Sequence, residues 1–95
     1  MKISLLKKLR EAVEEWAQAH QVEITLIDAK YIGIGSHVHV LVVARRGFEN
    51  WPRHERHDSL FDFLYDKLNS NSELVISRLS TMTEKEYEEY ESVAA

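Results

Sequence analysis

An α+β fold, built as a three-stranded sheet with helices packed on one face in the order α-β-β-α-β-α, is what three features of this chain predict. Apolar residues near the start recur every three to four positions, which is the spacing of a helix with one buried side. The period then drops to two, the spacing of strands. It returns to helical spacing after residue 53, before a short alternating stretch and an acidic segment that reads as a closing helix.

The first helix is carried by Leu5, Leu6, Leu9, Val13, Trp16 and Ala17 and spans residues 4–19, with Lys7, Lys8, Arg10, Glu11, Glu14 and Glu15 mostly on the opposite side. Val22, Ile24 and Leu26 alternate with Glu23 and Thr25, giving a strand with one wet face. Gly33-Ile34-Gly35-Ser36 reads as a turn, and Val38 to Ala44 is β-branched and apolar enough for a central strand. Strands joined so closely pair as an antiparallel hairpin. Gly47 ends the second strand, and Leu60, Phe61, Leu64, Tyr65 and Leu68 place a second helix over residues 54–69. Asn69-Ser70-Asn71-Ser72 is a polar loop, and Leu74, Ile76 and Leu79 mark a third strand. Thr83-Glu84-Lys85-Glu86 has the capping-box pattern, in which a threonine and the glutamate three residues later bond each other's backbone, and it opens the last helix.

Composition limits what such a domain does. The 95 residues make one domain, 1–95, with room for a single modest core. Hydrophobic residues at 44% and charged residues at 29% are globular values. The absence of cysteine excludes disulfides, thiolate metal sites and a cysteine nucleophile supplied by this chain. No apolar run approaches the roughly 20 residues that span a bilayer, and the charged N-terminus lacks the apolar centre of a signal peptide, so a cytoplasmic protein without membrane association is expected. A net charge of −4 argues against coating nucleic acid by charge alone.

The residues between 45 and 57 draw most attention. Arg45, Arg46, Arg53 and Arg56 surround the second strand-to-helix junction, with Phe48 and Trp51 among them. Arginines mixed with aromatics anchor protein partners, or stack on and neutralise a nucleic-acid strand. Phe48 reads as completing the core, Asn50 and Pro52 as forming the turn, and Trp51 as held at its exposed start. His37 and His39, two apart on a strand, share one face and are candidate metal ligands; His54 and His57 are three apart on a helix. No serine or threonine sits in a nucleophile setting and the carboxylates lie on wet helix faces, so no catalytic residue is assigned.

The same segment carries a family resemblance. Phe48, Asn50 and then Arg56-His57 after five intervening residues resemble the phenylalanine-x-glycine and arginine-histidine signature of BolA-like proteins. Upstream, Ser36-His37-Val38-His39-Val40 is similar to that family's serine-histidine strand; downstream, Leu64, Leu68 and Thr83-Glu84-Lys85-Glu86-Tyr87 fit its helix and its closing threonine-x-x-glutamate motif. The resemblance runs along most of the chain in the same order. Asn50 stands for the usual glycine, a position where asparagine also accepts a left-handed backbone, and one extra residue between Ser36 and Phe48 is consistent with a bulge or a longer loop. It implies a class II KH-like fold, α-β-β-α-β in outline, and a non-enzymatic regulatory protein. Its implied partner is a monothiol glutaredoxin with which a [2Fe-2S] cluster is shared; transcriptional regulation through nucleic-acid binding is the alternative. In the family a third-strand histidine and a ligand from the loop between the first two strands hold the cluster. Here Glu73, Leu74 and Val75 occupy the third-strand region, so that histidine is missing and no resident cofactor is expected. Arg45, Arg46, Trp51, Arg53, Arg56 and His57 form the expected surface for a protein partner or nucleic acid.

Overall fold

The computed structural model describes residues 2–32, 37–68 and 75–94. The elements run α1 (Lys2–Ala19), β1 (Glu23–Tyr31), β2 (His37–Arg46), α2 (Arg53–Leu68), β3 (Val75–Thr83) and α3 (Glu84–Ala94), so the α+β class and the α-β-β-α-β-α order stand as read from the sequence. The expected loops at Gly33-Ile34-Gly35-Ser36 and Asn69-Ser70-Asn71-Ser72 lie outside the described residues, as do Glu73 and Leu74.

The sheet has the order β1-β2-β3. β1 and β2 form the antiparallel hairpin, from Glu23 opposite Arg46 to Tyr31 opposite Val38. β3 runs parallel to β2, because α2 carries the chain back along the sheet before it re-enters. The ladder is irregular twice in succession, with Arg45 an extra residue on β2 between Arg46 and Ala44, and Thr25 an extra one on β1 between Ile24 and Leu26.

Alternation sends Val38, Val40 and Val42 of β2 to one face, beside Ala29 of β1 and Leu79 of β3. There they meet Leu9, Val13, Trp16 and Ala17 of α1 and Leu60, Leu64 and Leu68 of α2 in one core. Each such side chain contributes on the order of 1.5–3 kcal/mol by leaving water. The indole Nε1 of Trp16 donates to Ser59 Oγ at 3.0 Å, which fixes α1 against α2 and satisfies a polar atom that burial would otherwise orphan.

The other face corrects one detail of the expected architecture, which placed the helices together on a single face. α1 and α2 do share the core face, but Tyr90 of α3 borders a hollow with Asp28, Leu41 and Met82 on the opposite one. Burial, followed by the charges of Glu91 and Asp28, pushes the Tyr87 hydroxyl above its ordinary range. The physical reason is β2: Val43 and Leu41 point away from the core and need apolar cover of their own, and Val43 is buried as fully as the core valines.

Two backbone conformations join α1 to the hairpin. Gln21 has φ 56°, and the amides of Val22 and Gln21 donate to the carbonyls of Ala17 and Gln18 at 2.8 and 3.3 Å. This is a Schellman ending with glutamine in the left-handed position where glycine is usual. Gly47, at φ 107°, packs against that turn so closely that a Cβ would stand 2.8 Å from the Cα of Val22.

The two positions therefore respond oppositely to substitution. Gly47→Ala adds both a clash with backbone and left-handed strain, and is expected to lower unfolding free energy by about 1–3 kcal/mol. Gln21→Gly relieves a left-handed cost of roughly 1–2 kcal/mol while loosening the unfolded chain by somewhat less, for a net gain of about 0.5–1 kcal/mol. Urea unfolding of the two variants beside the parent chain checks both signs.

Candidate functional site

The junction between β2 and α2 is built from short-range bonds. The Gly47 amide donates to Glu49 Oε1 at 2.7 Å, and the Trp51 amide returns to the Phe48 carbonyl at 3.1 Å. The Pro52 carbonyl accepts from the amides of both Glu55 and Arg56 at 3.0 Å and so starts α2. Pro52 has no N–H of its own to satisfy, which suits a residue at a helix entrance. Asn50 is exposed and is not left-handed; Gly47 takes the positive φ instead, because it is there that the backbone meets Val22.

Phe48 is buried, 2% exposed, with the rings of Trp16 and Trp51 at 6.1 and 6.2 Å. The Arg56 guanidinium lies over its other neighbour space, 4.7 Å from the Phe48 ring centroid. Arg56 Nη2 donates to Glu86 Oε1 at 2.8 Å. The same oxygen accepts from the Thr83 amide at 2.8 Å, while the Glu86 amide donates to Thr83 Oγ1 at 3.1 Å, so the capping box read from the sequence is formed. Glu86 Oε2 pairs with Arg53 Nη2 at 3.1 Å. One carboxylate thus gathers the start of α2, the end of β3 and the start of α3.

Burial alone would raise the Glu86 pKa. The Thr83 amide, the Arg53 bond and the charges of Arg56 and Arg53 together outweigh it, and the carboxyl is held below its ordinary range. Two more Arg56 nitrogens, Nε and Nη1, are enclosed with no hydrogen-bond partner among the described residues.

Arg56 is 2% exposed, which corrects its assignment to an interaction surface. A guanidinium sealed between Phe48 and Glu86 is part of the core, and the residues that resemble a family signature at Phe48, Arg56, Thr83 and Glu86 meet in space as a packing unit. Arg45 reaches Glu23 at 3.2 Å and Glu84 at 3.9 Å. Arg53 stays at the surface but is held by Glu86, and Arg46 is exposed. Three of the four expected arginines therefore already face carboxylates.

Trp51 is half-buried instead of standing free. Its ring stacks on Trp16 at 5.4 Å and 24°, and His20 lies 5.0 Å away. Its outer edge borders a shallow depression of about 340 Å³ shared with Asn50, Pro52, Arg53 and Glu86.

His57 lies nearly parallel to Phe61, 6.0 Å between centroids and 12° apart, and Phe61 stacks on Tyr65 at 6.1 Å and 22°. Helical spacing predicts Phe61 and Tyr65 on the buried side of α2; Phe61 is half-buried against the core, whereas Tyr65 is 67% exposed. The core side is Leu60, Leu64 and Leu68, and the four-residue spacing of 57, 61 and 65 runs as a separate stripe beside it. Asp58, Asp62 and Asp66, one residue further on, border that stripe and are all exposed.

His37 and His39 share a face, as their spacing requires, but β3 brings different neighbours to each. His37 stands opposite Val75, and His39 lies between Lys30 and Arg78. Among the described residues no group of three metal-ligating side chains includes either histidine.

These features define an α+β protein with a mixed three-stranded sheet, in which no described helix is long and apolar enough to cross a membrane. No family model, curated protein or solved structure matches the chain.

Glu86→Gln keeps the size of the side chain but leaves Arg56 as a buried, uncompensated cation. The expected loss at neutral pH is about 2 kcal/mol, less than the 3–5 kcal/mol of a fully enclosed pair because Glu86 stays partly in water. A carboxyl whose pKa falls on folding stabilises the chain above its unfolded-state value, and that contribution disappears as pH drops through the folded-state value. The parent chain should therefore lose stability on acidification below the ordinary glutamate range more steeply than Glu86→Gln, as measured by thermal melts across that pH window.

Proposed function

We propose that this chain is a non-enzymatic, BolA-like interaction protein that binds a protein partner through α2 and the turn before it, with a monothiol glutaredoxin in redox or iron-sulfur regulation as the partner the sequence resemblance suggests. The observation that carries the reading is the stack of half-buried His57 and Phe61 under exposed Tyr65, on a helix whose core side is already filled. Aromatic side chains held in one orientation and left in water are favourable anchors, since little freedom remains to be lost on docking. Trp51 and Arg53 extend the contact at the helix entrance.

Nucleic-acid binding on a KH-like scaffold is less well supported. It would draw on Arg45, Arg46 and Arg53, and two of those three must first leave Glu23, Glu84 or Glu86. For the shared [2Fe-2S] cluster, the fit is poor. β3 begins with Val75 beside His37, and a hydrocarbon side chain supplies no ligand. The docking proposed here needs no cluster.

Affinity capture from the native cell with mass spectrometry should recover a thioredoxin-fold partner, and the purified pair should co-elute from a sizing column with no change in the visible spectrum of an iron-loaded glutaredoxin. Phe61→Ala with Tyr65→Ala should weaken the complex at least about tenfold while leaving the melting temperature nearly unchanged. Full binding by that double variant would sink the assignment of α2 as the docking surface.

A further inference from the structure

We infer that the sheet face opposite α1 and α2 binds a small phosphate monoester, with Lys30, His39 and Arg78 holding its phosphate. The register sets these three side by side: Lys30 of β1 opposite His39 of β2, and His39 beside Arg78 of β3. Directly paired positions share a face, and this row lies on the opposite face from Val38 and Val40. Neither Lys30 nor Arg78 has an ion pair or hydrogen bond among the described residues. Arg45, Arg53, Arg56 and Lys67 are each matched with a glutamate, whereas Lys30 and Arg78 stand unmatched on either side of His39.

Lys30 and Arg78 sit two strands apart with His39 between them, so an anion resting over His39 meets a cation on either side. The guanidinium offers a planar fork, the ammonium a mobile point charge and the imidazole an N–H, which together suit the tetrahedral oxygens of a phosphate. Lys30 and Arg78 also make the place unfavourable for a free divalent cation, which answers the metal expectation attached to His39.

The surroundings narrow the ligand further. The row opens into a hollow of about 160 Å³ also lined by Asp28, Leu41 and Ser80, which form the next row along the strands, and by Met82 and Tyr90. Asp28 repels a second phosphate but accepts a hydrogen bond from a hydroxyl, and the Ser80 and Tyr90 hydroxyls both donate and accept. A molecule with its charge at one end and hydroxyls at the other, such as a sugar or nucleoside monophosphate, matches this order. A long polyanion would carry further phosphates against Asp28 and the acidic α3. The site lies across the sheet from the α2 core contacts, and the inference does not depend on the partner-binding reading.

The test uses the full chain, titrated with a ribose monophosphate, ribose, inorganic phosphate, sodium chloride at matched ionic strength, and a short single-stranded oligonucleotide. Amide resonances of Lys30, His39 and Arg78 should shift saturably with ribose monophosphate, and the melting temperature should rise. Inorganic phosphate should bind at least about tenfold more weakly, and ribose alone should give no saturable shift. Lys30→Gln with Arg78→Gln should weaken the ester by at least about tenfold and, in chloride, leave the stability near that of the parent chain, since both side chains are exposed. Equal responses to chloride and ester, preferential binding of the oligonucleotide, or unchanged affinity in the double variant would each overturn the site.

Discussion

The Glu86 carboxylate is the interaction on which the rest of the arrangement depends. It completes the capping box with Thr83, holds Arg53 at the surface and neutralises Arg56 inside, so three segments distant in sequence are joined at one side chain. Each of its contacts makes the others more favourable. The Thr83 amide orients the carboxylate toward Arg56, and the two arginines keep it ionised against the burial that opposes charge. Phe48 then packs on a guanidinium that would otherwise be too costly to enclose. The β2-to-α2 turn, the aromatic group of Trp16 and Trp51, and the placement of α3 follow from that closure.

Much of the fold was legible in the chain because it rests on local periodicity. The helical spacing of Leu9, Val13 and Trp16, the alternation through Val38, Val40 and Val42, and the Thr83–Glu86 capping box each involve residues a few positions apart. What was not legible depends on partners far along the chain. Arg56 reads as a surface residue because arginine is usually one, and only a glutamate thirty positions on makes its burial possible. β3 reads as a short strand around Ile76 and Leu79, whereas it continues through the hydroxyl-rich Ser80-Thr81-Met82-Thr83; Thr81 faces the core despite its polarity. Tyr65 has the spacing of a core residue, but Leu64 and Leu68 already fill that side. The pairing of Lys30, His39 and Arg78 could be read only once the parallel register of β3 was known.

The molecule divides its chemistry between surfaces. On α2 an aromatic stripe lies between the core and a row of aspartates, a combination suited to a partner with apolar and basic groups. On the outer face of the sheet Lys30 and Arg78 stand beside Asp28, Ser80 and Tyr90. Since the chain as a whole is acidic, a basic row concentrates an otherwise scarce charge where strand pairing, not helix surface, fixes its geometry.

The parallel β2–β3 pairing also has a consequence in time. Arg56 and Glu86 close a separation of 30 residues, a contact that spans α2 and the parallel strand after it. The entropic cost of closing that loop falls before its contacts can offset it. Contacts of this separation are expected to form after the local ones, in which case changes at Glu86 speed unfolding more than they slow folding.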